Sequence, residues 1–115
     1  MHVDLEVDLD GMFEVFGEPD GSLSHPELGD YWFAYRRPDG VVVRLVLGLF
    51  DRKVIVGVDY GVTASVSLVL ENCDHVRILE ASKRTLEVVA AASSIRCFLA
   101  LEGQSVMAME APTRP

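Results

Sequence analysis

From Val3 to Asp10 apolar and acidic side chains alternate without a break: Val3, Leu5, Val7 and Leu9 against Asp4, Glu6, Asp8 and Asp10. Successive side chains of a strand point to opposite faces, so this pattern predicts a strand over residues 2–10. Its apolar set would be buried and its carboxylates would form one solvated stripe. Gly11 then precedes a second predicted strand over 12–16, the return of a hairpin. Residues 17–30 carry Gly17, Pro19, Gly21, Pro26 and Gly29 with little apolar content, and read as a long loop.

Beyond the loop the β signal is continuous. Residues 31–37 and 41–49 flank Pro38-Asp39-Gly40, a hairpin signature. On the first of these strands Tyr31, Phe33 and Tyr35 share one face, and Trp32, Ala34 and Arg36 share the other. Asp51-Arg52 turns the chain into 53–60, and Gly61 separates that run from 62–70, which again alternates. Further short strands are predicted at 76–79, 95–101 and 106–109, with residues 111–115 as a tail. Residues 82–94 fit both periods: Leu86, Val88 and Ala90 suit a strand, whereas Leu86, Val89 and Ala90 suit a helix capped by Ser82. Set among short strands, the stretch is read as strand, with one short helix near 82–94 as the alternative.

Seventeen valines and three isoleucines reinforce this reading, because β-branched side chains suit a pleated, half-buried surface. The expectation is a single all-β domain over 1–115, an antiparallel β-sandwich or flattened barrel of about nine or ten short strands. Its 115 residues suffice for a core without staples. Cys73 and Cys97 are then expected as two small buried apolar side chains.

Charge changes the picture. Residues 1–30 hold nine carboxylates and no Lys or Arg, while 31–115 hold nine acids against ten bases. The whole net charge of −8 therefore resides in the first quarter of the chain. Such a surface disfavours nucleic acid and anionic membrane, both of which need clustered Lys and Arg. No apolar run approaches the ~20 residues of a membrane span, and the acidic start is unlike a signal peptide, so the cytoplasm is the expected location.

Candidate chemistry is sparse. Glu6, Asp8, Asp10 and Gly11 resemble the opening of a calcium loop, but Gly17 stands where its last carboxylate is needed. Cys73 and His75 could supply two zinc ligands, yet no second close pair completes a site. Neither a nucleophile elbow nor a phosphate-binding glycine loop is present. No metal, no cofactor and no catalytic residue are expected.

What remains is a binding surface. The expected function is non-enzymatic: a small acidic protein-binding inhibitor, such as a bacterial immunity protein that neutralises a basic toxin. Its contact residues would be Asp4, Glu6, Asp8, Asp10, Glu18, Asp20, Glu27 and Asp30, with Trp32 and Tyr35 as aromatic anchors. The chain would act as a monomer or homodimer. The alternative is a β-sandwich that binds a small molecule or sugar in a closed apolar pocket lined by Trp32 or Tyr35.

Overall fold

The turn at Pro38-Asp39-Gly40 folds as its residues dictate. Gly40 takes φ +91°, a left-handed conformation that suits glycine. The Asp39 carboxylate accepts from the Val41 N–H at 3.1 Å, and the Arg37 N–H donates to the Val41 carbonyl at 2.8 Å. The two strands so joined, β2 (Asp30–Arg36) and β3 (Val41–Gly48), pair antiparallel along their length. The computed structural model describes residues 4–61, 64–90, 94–103 and 106–110.

Strands make up 54% of the structure, against the usual 20–25% or so. The chain runs β1 (Glu6–Val7), α1 (Leu9–Phe16), β2, β3, β4 (Lys53–Tyr60), β5 (Ser65–Leu70), β6 (His75–Glu80), β7 (Thr85–Ala90), β8 (Ile95–Ala100) and β9 (Met107–Glu110). Two sheets result, ordered β2-β3-β4-β5 and β1-β6-β7-β8-β9. All pairings are antiparallel except β1 on β6. Both sheets contribute to one core. Phe33, Val43, Leu45, Leu47, Val54, Val56 and Val58 come from the first, and Val76, Leu86, Val88, Cys97 and Leu99 from the second. This is the expected β-sandwich.

Residues 82–94 resolve toward strand: β7 occupies Thr85–Ala90, and only a single 3₁₀ turn, Ala81–Lys83, precedes it. Residues 91–93 of that stretch lie outside the described residues, as do Val3, Val62, Thr63 and the predicted tail at 111–115.

The N-terminal expectation is corrected. The strand is two residues long, and the predicted return strand over 12–16 is the helix α1. Asp8 ends the strand by becoming the helix cap: its side chain accepts from the Gly11 N–H at 3.0 Å. Leu9, Met12, Val15 and Phe16 then recur at helical spacing and pack on the core, Met12 and Val15 with no exposed surface. Leu9 both closes the strand alternation and opens the helical one, which is why the two periods merge. Of the apolar set, Leu5 is buried while Val7 and Leu9 are half-buried.

The helix stops at Gly17, whose φ of +86° leaves the right-handed region and whose N–H donates to the Phe13 carbonyl. Its last carbonyls are met from the opposite sheet. The Arg84 guanidinium donates to the carbonyls of Glu14 and Val15, lies 5.0 Å from the centre of the Tyr35 ring, and pairs with Glu102 at 2.8 Å. One side chain thus ties α1, β2 and the β8–β9 turn together.

The cap can be tested directly. Asp8→Ala should cost about 1 kcal/mol in urea-induced unfolding, whereas Asp8→Ser, which keeps a capping oxygen, should be within a few tenths of neutral. Equal losses from the two would mean that Asp8 is an ordinary solvated carboxylate.

Candidate functional site

In β2, Phe33 faces the core, so Trp32, Ala34 and Arg36 face out, as the alternation of the strand requires. Register extends that outward set across the sheet in three rows. Trp32 lies beside Val46, Ile55 and Val69. Ala34 lies beside Arg44, Gly57 and Ser67. Arg36 lies beside Val42, Asp59 and Ser65. The result is an apolar row at one end of the face and a polar row at the other. In the middle, Arg44 makes a close ion pair with Asp59, a planar donor set held in place by a carboxylate.

The loop before β2 builds the rim of this face. Its backbone runs along the strand edge: the Asp20 N–H donates to the Trp32 carbonyl at 2.7 Å, and the Trp32 N–H donates to the Ser24 hydroxyl at 2.9 Å. Within the loop Asp20 accepts from the Ser22 hydroxyl and from the N–H groups of Ser22 and Leu23. These bonds, the Ser22 hydroxyl first, hold the Asp20 carboxyl below the usual carboxylate range, so it is ionised at neutral pH.

Two shallow hollows flank Arg44. The first, of about 240 Å³, is lined by Asp20, Leu23, Trp32, Arg36, Arg44 and Asp59. The second, of about 210 Å³, is lined by Trp32, Val46, Ile55, Gly57, Ser65 and Ser67 together with Arg44 and Asp59. Both open to solvent, and Trp32 forms a wall of each. Exposed Leu23 extends the apolar margin of the first.

The structure brings Asp20 and Trp32 together and disperses the other predicted contact residues. Glu6 lies opposite His75 on the second sheet, and with Asp8 and Arg77 lines a separate hollow. Asp8 is the helix cap, Asp10 sits exposed in the first helical turn, and Asp4 is exposed ahead of β1. No single-strand carboxylate stripe exists, because the chain turns helical at Leu9. Glu18 and Glu27 are exposed on the acidic loop, Glu27 within 3.6 Å of His25. Asp30 is half-buried at the start of β2, its backbone paired with that of His25. Tyr35 parts from Trp32: it lies on the inner face beneath Arg84, and its hydroxyl donates to Glu102 at 3.3 Å.

Sequence reasoning missed Arg44, Asp59 and Arg84. The signal for the first was present: Arg44 is the single charge within Val41–Leu47, at an outward position of an otherwise apolar strand. Glu87 was missed too. It is 5% exposed on the outer face of the second sheet, opposite Arg77 and 3.9 Å from the Arg96 guanidinium.

Charge pairing separates the two parts of the chain. Arg37, Arg44, Arg52, Lys83, Arg84 and Arg96 pair with Asp39, Asp59, Asp74, Glu80, Glu102 and Glu87. Every one of those acids lies after residue 30. Cys73 and Cys97 are unbonded and buried, and burial pushes both thiols up to about 11. Both are protonated at neutral pH. No helix among the described residues is long and apolar enough to cross a membrane. No protein family, no characterised protein and no solved structure matches this chain.

Proposed function

We propose that this protein is a non-enzymatic binding domain that captures a basic protein on the outer face of its four-stranded sheet. It would act in the cytoplasm as a small acidic inhibitor, in the manner of a bacterial immunity protein that neutralises a basic toxin. One observation carries the reading: the acidic loop and the Trp32–Arg44 face share a hollow, with Asp20 on its rim. Trp and Arg are the residue types that dominate binding energy at protein interfaces. The loop carboxylates beside them would steer a basic partner and speed its association.

The reading in which a small molecule or sugar is bound rests on the same hollows, with Trp32 as a stacking platform. It ranks second, because each hollow is open and smaller than the ~300–1,000 Å³ typical of small-ligand pockets.

The test is association kinetics with a basic partner isolated from the native host. Glu18→Gln, Asp20→Asn and Glu27→Gln together remove the loop charge, and the amide oxygen that Asp20→Asn leaves can still accept from the loop N–H groups. At low salt the association rate should fall about tenfold, and the difference should vanish near 1 M salt, where the Debye length is ~3 Å. Glu6→Gln with Asp10→Asn, away from the face, should have a smaller effect. An unchanged association rate for the folded loop variant at low salt would refute the reading.

A further inference from the structure

The two edges of the four-stranded sheet are treated differently. The first half of the β2 edge is covered by the acidic loop, whose Asp20 and Ser24 take up the outward carbonyl and N–H of Trp32. Among the described residues, no such cover lies along the β5 edge. The Tyr60 N–H donates to the Ala64 carbonyl, which sets the alternation of the β4–β5 ladder: Val66, Leu68 and Leu70 bond to β4, and the backbones of Ser65, Ser67 and Val69 face away. Among the described residues, no hydrogen bond reaches those three outward positions.

Edges of this kind are normally blunted by Lys, Pro, a bulge or an inward charge. Here Gly61 to Leu70 contains no charged residue and no proline, and the β4–β5 register runs without a bulge. Val66 is 46% and Val69 52% exposed. In a chain of net charge −8 this is a neutral, apolar, straight edge.

We propose that β5 is the contact by which two copies of this chain pair, antiparallel about a twofold axis at Ser67, to make one continuous eight-stranded sheet. The edge is self-complementary. With Ser67 on the axis, Ser65 of one copy faces Val69 of the other, and Val66 faces Leu68. Apolar side chains therefore meet on the inner face and no like charges stand opposite. A twofold pairing uses the same edge of both copies and so closes at two. The loop carboxylates Glu18, Asp20 and Glu27 lie at the far edge, beyond β2. Three strand spacings of ~4.8 Å separate that edge from β5, more than the Debye length of ~8 Å at physiological salt.

Sedimentation velocity of the full chain decides the matter. A dimer is expected at about 100 µM, dissociating in the micromolar range on dilution. Ser67→Lys places two ammonium groups across the axis and should weaken the dimer at least tenfold, an effect that about 1 M salt should reduce. Ser67→Pro removes an outward N–H without touching the β4 ladder and should weaken it similarly, which separates the contact from any effect of charge. Leu28→Lys, on the acidic loop, should leave the dimer intact, and melting curves check that each variant is folded. A wild-type monomer at about 100 µM would overturn the proposal. So would a dimer that survives both Ser67 variants, one that Leu28→Lys dissociates, or an assembly larger than two.

Discussion

Phe33→Ala should destabilise the protein by about 3–5 kcal/mol, a large share of the roughly 5–15 kcal/mol that holds a domain of this size together. Phe33 is 2% exposed in the middle of β2, and its ring stands 6.0 Å from Phe13, 5.5 Å from Phe16 and 6.4 Å from Tyr31. It is therefore the point at which α1 is fastened to the four-stranded sheet. Truncation loses the transfer energy of the ring and leaves a cavity that the rigid strands on either side cannot close. Phe13→Ala is the matched comparison. That ring is 38% exposed, so its loss should cost only about 1 kcal/mol, the scale of a single aromatic pair. Urea titration with the slope held constant reads both values. Equal losses would mean that the helix is not held through Phe33.

The strands were legible because their information is local. Pro38-Asp39-Gly40 places a left-handed residue where a hairpin needs one, and alternation in residues 31–36 separates Tyr31, Phe33 and Tyr35 from Trp32, Ala34 and Arg36 without any knowledge of the partner strand, though it does not say which set is inward. The helix was not legible, because Leu5, Val7 and Leu9 keep period two up to the residue at which Leu9, Met12, Val15 and Phe16 begin a period of three to four. Only the Asp8 side chain marks the change, and a capping aspartate in an alternating acidic run looks like one more surface carboxylate. The parallel pairing of Glu6 with His75, and the reach of Arg84 to Glu14 and Val15, join segments about seventy residues apart in sequence and have no local trace.

The same division applies to the candidate site. Composition and alternation point to Asp20 and Trp32, and the loop's hydrogen bonds to β2 bring them together. Arg44 and Asp59 escape such reasoning, because their ion pair depends on the β3–β4 register, which places Val42 opposite Asp59 and Arg44 opposite Gly57. The acidic bias itself is a property of composition. Its placement is not: Asp8 and Asp10 go to the helix start, while Glu18, Asp20 and Glu27 go to the loop beside β2.

If the outer face is the docking surface, Trp32→Ala should weaken partner binding by about 2 kcal/mol or more, roughly thirtyfold in Kd. Trp32 walls both hollows and contributes the largest rigid apolar surface on that face. Its loss should act through faster dissociation, with the association rate changed by less than about threefold. The effect should also persist at high salt, unlike removal of the loop carboxylates, because burial of an indole is not screened. Trp32→Phe should recover part of the affinity. The fold should tolerate both changes, since the side chain lies outside the core and is half-exposed. Surface plasmon resonance across a salt series measures all of these quantities. A Kd within about threefold of wild type for a folded Trp32→Ala variant would refute Trp32 as the anchor of the contact.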